Sequence, residues 1–480
     1  MSSENLEQSG EQPEAPQQQN SLWRDIVEAI RGKADRDYTS GSIGRAILYL
    51  SIPMVLEMAM ESVFAVVDIF FVSKLGADAV TAVGLTESVI ILIYAVAIGV
   101  SMAGTAMIAR RIGEKDKEAA CNAAVQIIGL GVLLAIPGMI AGMFWADDML
   151  RFMGAPESSI EIGSGYTTIL FGGNIVIMLL FLNNAIFRGA GDAAIAMRAL
   201  WLSNGLNLIL DPCLIFGLGP FPELGVPGAA IATTIGRGAG VCFQLYVMFR
   251  GSSRIQLLRR HVKLQWQVIV RLIRVSAWGV VQYLLATASW LILIRIIARF
   301  GSQAVAGYTI AIRFVVFTIL PSWGMANAAA TLVGQNLGAN KPDRAEKSVW
   351  ITSHYNMAFL LFISVFFIFY PEMIIGIFTQ EEAVIGFGAD CLRIMSYGYA
   401  LFAYGMVVSQ AFNGAGDTRT PTKINFLCYW LLQIPLAYYL AVGSGFETVG
   451  VYWSITTAEV ALAATAVFFF RRGKWKAQQI

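Results

Sequence analysis

Long apolar stretches alternate with short polar connections along the whole chain. A helix needs about 20 apolar residues to cross the hydrocarbon core of a bilayer. On that measure twelve spans are predicted, at roughly 45–73, 79–109, 119–146, 160–187, 195–217, 227–249, 265–298, 303–333, 346–370, 386–412, 422–442 and 446–470. The expected fold class is an all-α polytopic membrane protein. Residues 1–42 form a polar tail, within which "SLWRDIVEAIRGKADRDY" can fold as an amphipathic surface helix with Leu22, Ile26, Val27 and Ile30 on one side.

The polar punctuation is written twice. "FRGAGD" (Phe187 to Asp192) and "FNGAGD" (Phe412 to Asp417) each close an apolar span, 225 positions apart. One such coincidence proves nothing, but Ser51 and Ser276, Gly76 and Gly301, Ala79-Val80 and Ala304-Val305, Gly113 and Gly338, and Ala120 and Ala345 share the spacing. A register kept across several loops and helix ends means a duplicated half. Six crossings per half is an even number, so both copies enter the membrane in the same direction, as parallel repeats about an axis along the membrane normal. The expected units are 43–250, a linker at 251–264, 265–470, and a basic tail at 471–480. Within the hexapeptides, Gly189 and Gly414 are expected to take the left-handed conformation that ends a helix, with the following Gly-Asp reversing the chain and capping the next one.

Composition agrees with this pattern: 56% of the 480 residues are hydrophobic and 14% charged, with a mean hydropathy of +0.63. A net charge of +2 provides no field for nucleic acid. The N-terminus lacks the basic start and short apolar core of a cleaved signal peptide. Lys and Arg concentrate in alternate connections, leaving only Lys74, Arg151 and Arg299 in the outer loops, which places both termini in the cytoplasm. The five cysteines fall singly inside apolar segments, with neither metal spacing nor a disulfide framework, and read as small buried hydrophobes.

Ionisable groups at membrane depth are costly unless they face a polar interior, so each is a candidate functional residue. In span 1, Glu57, Glu61 and Asp68 fall within about 40° of one another around the helix. In span 5, Asn204, Asn207 and Asp211 recur on a second stripe. Glu61 and Asp211 each lie about 24 Å from the cytoplasmic ends of their spans, so they can face one chamber. Thr233 and Thr234, Asn174 and Asn184, and Glu87 are further candidate ligands. Two carboxyls in a low-dielectric chamber repel when both are charged, so the pair takes up a proton or captures a small cation. Aromatic and methionine residues, as in "AIRFVVFTILPSWGM" and "MSYGYALFAYGM", suit a chamber for varied organic molecules. Gln282, Tyr308, Trp323 and Tyr397 are the candidate cavity residues.

Together "VVDIFFVSKLG", "FRGAGD", "NLILDP", "LGVPGAAIAT" and "VGQNLGANKPDRAEKS" on two six-span halves resemble the multidrug and toxic compound extrusion (MATE) family over about residues 40 to 470. The resemblance implies a V-shaped pair of lobes, alternating access, and export of organic cations or other amphipathic compounds against inflowing H⁺ or Na⁺. It is similar to the DinF-type prokaryotic branch, whose cation site in the first lobe matches Asp68 and Asn207 with Asp211, with Glu61 and Asn184 at further matching positions. Na⁺, if it is the ion, would lie at Asp68, Asp211 and Asn207. Span 7 has Gln282 where other branches carry a carboxylate, which argues against an ion site in the second lobe.

No cofactor is implied beyond the coupling ion. The expected partners are a small-molecule substrate and the lipid bilayer, and the expected state is a monomer in the inner membrane of a prokaryote. Two rival functions fit parts of the same pattern. A flippase for lipid-linked or polysaccharide precursors would keep the architecture, but acidic groups in the first half favour small cationic cargo. An intramembrane enzyme would need a catalytic constellation, and no Ser-Lys or Cys-His arrangement offers one.

Overall fold

The structure, a computed structural model, describes residues 22–32, 36–251 and 253–480. Residues 1–21 of the expected polar tail lie outside the described residues. The first half comprises α1 (Leu22–Arg31), α2 (Ile43–Ser73), α3 (Ala77–Gly113), α4 (Lys117–Phe152), α5 (Glu157–Gly172), α6 (Asn174–Ala190), α7 (Ala193–Phe216) and α8 (Val226–Arg250). The second comprises α9 (Trp266–Ile297), α10 (Ser302–Gly338), α11 (Pro342–Phe369), α12 (Pro371–Gly376), α13 (Glu382–Ser396) and α14 (Tyr399–Ala415). It continues with α15 (Arg419–Asn425), which runs through π-helical turns and α16 (Ile434–Tyr438) to Gly443, and ends with α17 (Glu447–Arg471).

Among the described residues, eight helices are long and apolar enough to cross a membrane, and the bent pairs α5–α6 and α13–α14 bring the number to ten. Helices α2 and α8, 31 and 25 residues long, complete the twelve crossings. They are also the helices that carry Glu57, Glu61, Asp68 and Arg237. The fourth and tenth spans differ from the continuous helices expected, being bent by 44° and 61°. The first bend falls at Gly173, where the chain presses on α8 so closely that a Cβ would lie 2.8 Å from the Thr234 side chain.

The duplication is visible in the backbone. Helices α3 and α10 each have 37 residues, α6 and α14 each have 17, and Gly76 and Gly301 share a φ of 103°. The left-handed glycines of the hexapeptides are Gly191 and Gly416, with φ of 87° and 86°, rather than Gly189 and Gly414. The latter stay helical because neighbouring helices touch them: a Cβ on Gly189 would meet the Thr105 carbonyl oxygen at 2.8 Å, and one on Gly414 the Ala330 carbonyl oxygen at 2.2 Å. Asp417 accepts from the Thr420 amide, whereas Asp192 accepts from the Arg254 amide and so ties the linker to the turn.

An even number of crossings brings both ends of the described chain to one face, called here the terminus side. There the halves are in intimate contact. A Cβ on Gly113 would stand 2.0 Å from the Gln335 carbonyl oxygen, and one on Gly338 2.2 Å from that of Arg110. A Cβ on Gly324 would stand 2.5 Å from the Met54 carbonyl oxygen, and one on Gly99 2.5 Å from a Val280 methyl. Gln335 Nε2 donates to the Gly189 carbonyl at 3.0 Å and Thr331 Oγ1 to that of Arg188 at 3.1 Å. Among the described residues, every hydrogen bond between the two halves lies toward this side. The halves are therefore sealed toward the termini and unjoined by hydrogen bonds toward the far side.

Two end segments reinforce that seal. After α17, Trp475 is fully buried, stacked on Phe470 at 4.7 Å, and its Nε1 donates to the Phe470 carbonyl. The chain then crosses to the first half, where Arg110 donates to the Gln478 carbonyl and Ile480 joins the apolar cluster around Cys121 and Leu257. At the other end, α1 turns Asp25 and Ala29 inward, with Tyr49 of α2 donating to Asp25. The expected stripe through Ile30 is not the buried one, since Ile30 is exposed: the α2 hydroxyl selects the face. Cys121, Cys391 and Cys428 are buried as expected, whereas Cys213 is half-buried and Cys242 exposed on α8.

Candidate functional site

The polar stripe of α7 is set against α8 by glycine. A Cβ on Gly236 would meet the Ser203 carbonyl oxygen at 2.5 Å and Asn207 Cβ at 3.3 Å, so the two helices approach closely at this level. With α2 packed along α7, the polar faces of α2, α7 and α8 converge in three successive layers.

Nearest the terminus side, Glu57 is fully buried, and its Oε1 accepts from Asn184 Nδ2 at 3.0 Å and from Arg188 Nη1 at 2.9 Å. Gln244 donates in turn to Asn184, and the second oxygen of Glu57 has no partner. In the middle layer Asn204 Nδ2 donates to Glu61 at 3.0 Å, and the buried Arg237 guanidinium lies 3.5 Å from the other Glu61 oxygen. Furthest out, Asn207 Nδ2 donates both to Asp211 Oδ1 at 3.0 Å and to Thr233 Oγ1 at 3.1 Å. Asp211 Oδ2 and Asn207 Oδ1 are buried without a partner. Asp68 is only 8% exposed and near enough to Asp211 and Arg237 to feel their charges, yet makes no hydrogen bond or ion pair among the described residues.

Two partnerless acceptor oxygens thus lie in the same layer as a carboxyl without a hydrogen bond, with the Arg237 guanidinium, whose Nε and Nη1 are also unpartnered, as the neighbouring cation. Buried polar atoms are almost always paired, so the partnerless oxygens of Asp211 and Asn207 suit a proton or a small cation. No group of three His, Cys, Asp or Glu able to hold a metal ion occurs among the described residues. A cation here would therefore rely on the Asn207 and Thr233 oxygens beside the two carboxyls, a hard-oxygen set.

A cavity of 340 Å³ lies between the halves, lined by Glu57, Glu61, Tyr94, Met102, Tyr283 and Trp323 among others. Of the four candidate cavity residues, Trp323 lines it. Gln282 is buried one position away from Tyr283, which takes the lining place. Tyr308 instead stacks on Tyr452 in the core of the second half, at 6.2 Å, and Tyr397 is exposed at the α13–α14 bend, stacked on Trp453. Asp68, Asn207, Asp211 and Thr233 do not line this cavity but lie beyond it within the first half, while Glu61 and Asn184 face it. Glu87 is exposed, within reach of the charges of Asp68 and of Arg313 on α10; Asn174 begins α6 at the bend.

Sequence reasoning missed the arginines. Arg188 falls just past the end of the fourth predicted span, and Arg237 stands inside the sixth, in "TTIGRGAG", with nothing in the periodicity to pair it with Glu61. Each cavity carboxylate is thereby matched by a guanidinium, so the cavity is less acidic than expected. The second half has no counterpart of the outer layers: 225 residues beyond Asp68, Asn207, Asp211 and Arg237 stand Leu293, Leu432, Leu436 and Leu462.

The MatE family model matches residues 53–213 and 280–439, one match on each repeat. Among curated relatives, the probable multidrug resistance protein YoeA of Bacillus subtilis is 26% identical over 447 residues, 92% of this chain and 96% of its own. The probable multidrug resistance protein NorM of Thermotoga maritima is 26% identical over 446 residues, 91% and 94% of the two chains. Among solved structures, a MATE protein crystallised with MaL6 superposes with a TM-score of 0.86 at 27% identity, covering 93% of this chain and 98% of the other.

Proposed function

The chain belongs to the MatE family, and from that premise we propose that it is a secondary active antiporter that exports organic cations or amphipathic drugs in exchange for H⁺ or Na⁺. The observation that carries this reading is the pair of buried, partnerless oxygens, Asp211 Oδ2 and Asn207 Oδ1, near an Asp68 carboxyl without a hydrogen bond, inside a membrane-spanning half. When both are charged, Asp68 and Asp211 repel each other, and Arg237, already shared with Glu61, offsets only part of that repulsion, so the pair favours uptake of a small positive species.

The cavity supplies the cargo site. Its walls are mainly apolar and aromatic, with Met58, Met102 and Trp323 beside the paired Glu57 and Glu61, a combination suited to flat amphipathic molecules bearing a positive group. Exchange follows from linkage. An ion shifts the equilibrium between two openings only by its difference in affinity for them. Neutralising Asp68 and Asp211 removes the repulsion between α2 and α7 and lets these helices move, which changes the adjoining wall at Glu61 and releases the cargo. Loss of the ion in the opposite opening restores the binding form. The bias of Lys and Arg toward the terminus side supports a cytoplasmic location for both ends. The far side, where the halves are unjoined by hydrogen bonds, is then the outer one. Homology to bacterial proteins supports a prokaryotic inner membrane, and each chain carries its own cavity, as a working monomer requires.

Counterflow in proteoliposomes with a pH gradient and a Na⁺ gradient imposed separately tests the reading. Dye uptake is expected to respond to one of the two. Uptake indifferent to both would overturn it.

A further inference from the structure

The second half, lacking counterparts of Asp68 and Asp211, still buries one carboxyl. Glu459 stands on α17, 12 residues from either end, about 18 Å into the membrane from each. The position 225 residues earlier is Thr234, so the duplication did not bring it. Tyr429, in the π-helical turns after α15, donates to Glu459 Oε1 at 3.2 Å, while Oε2 is buried without a partner. Among the described residues Glu459 makes no ion pair.

Glu459 lines a small cavity of 30 Å³ together with Trp290, Ile319, Tyr399, Phe402 and Ile455. That volume admits about one water molecule. A second unpartnered polar group belongs to a residue that lines the same space: Tyr399 is 3% exposed, and its buried hydroxyl, though it approaches Thr318, meets no partner in hydrogen-bond geometry. Tyr399 is the first residue of α14, and Gly398, on the same cavity wall, belongs to the 61° bend between α13 and α14. The groups that face Glu459 from the helices packed on it are Tyr429, the neighbouring Cys428 and Tyr399; none is a cation.

We propose that Glu459 is a second exchangeable proton site, in the opposite half from Asp68 and Asp211, opened and closed to water by the α13–α14 bend. A proton from water adds to the free lone pair of Oε2, and the new O–H has the Tyr399 hydroxyl oxygen as the available acceptor across the cavity. On release the proton returns to water, and no other bond changes. Surroundings without a cation accommodate the neutral acid; the carboxylate persists only while the bend admits water. The inference rests on the antiport reading above, in which protons move during the cycle.

Infrared difference spectra of the full-length protein in lipid, recorded as pH is stepped, test it through the carbonyl stretch of protonated carboxyl groups. The wild type should show a pH-dependent band that is lost in Glu459→Gln, kept in Asp68→Asn, and shifted in Tyr399→Phe. A wild-type spectrum whose pH-dependent bands all survive in Glu459→Gln would overturn the proposal, as would a Glu459 band that is present and constant at every pH. The antiport reading fails separately, by gradient-independent transport, so the two failures are distinguishable.

Discussion

Arg237 lies 3.5 Å from Glu61 in the interior of the first half, buried to 3% exposure, with its guanidinium 5.4 Å from the centre of the Phe64 ring. This cation holds together a layer that would otherwise add a third negative charge to those of Asp68 and Asp211. Removing one partner of a buried pair costs about 3–5 kcal/mol, and less where water reaches one of them, as it does Glu61 from the cavity. Arg237→Gln is expected to lower thermal stability by about 1–3 kcal/mol and to impair transport. Glu61→Gln with Arg237→Gln should recover much of the stability, because no charge is then stranded. Thermal unfolding in detergent measures it; a double variant less stable than Arg237→Gln alone would contradict the pairing.

Asp68 has no hydrogen bond to lose among the described residues, so Asp68→Asn should leave insertion and folding unchanged. Gradient-driven export should fall to the background level, while exchange of cargo without a gradient continues. Asp211→Asn is expected to behave likewise with some loss of stability, since Asp211 accepts from Asn207. Parallel export and exchange assays in proteoliposomes separate these outcomes.

The segment after α17 is a strap, anchored by Trp475 in one half and reaching the other through Gln478 and Ile480. Deleting a buried Trp side chain costs about 3–5 kcal/mol locally. Trp475→Ala should release the strap and raise the rate of trypsin cleavage at Lys476, which the wild type holds against Glu346 at 2.6 Å. Limited proteolysis followed by mass analysis reads the change.

Asp37 gives a pH dependence outside the membrane. Partial burial works to raise its carboxyl, but hydrogen bonds from the Thr39 side chain and amide and from Ser40 outweigh burial and hold it below the ordinary 3.8. A group depressed on folding contributes stability that is complete above its ordinary value and lost as pH falls through the folded one. The turn it organises offers the Thr39 and Gly41 carbonyls to Lys341 and Arg344 of the second half. Wild type should therefore lose more stability than Asp37→Asn as pH is lowered from about 6 to 3, read from unfolding midpoints.

Crossings and duplication were legible because span length and loop spacing survive in one dimension: α3 and α10 occupy the same register 225 residues apart. The bends at Gly173 and Gly398 were not, since apolar residues continue on both sides and the break is imposed by helices distant in sequence. The stripe of Glu57, Glu61 and Asp68 announced itself through helical periodicity. Its partners Arg188 and Arg237 did not, because pairing depends on how α6 and α8 are rotated. Tyr308 and Tyr397 fail as cavity residues for the same reason: an aromatic ring in a span suits core, lipid or cavity equally, and only rotation decides.

Gly113 against Arg110's counterpart Gln335, and Gly338 against Arg110 itself, are one contact performed twice about the same axis. Rotating the halves apart lengthens both by the same amount, so neither can serve as a hinge while the other lets go. On the terminus side the halves thus share a single latch with two like tongues, inherited from the doubling of the ancestral chain.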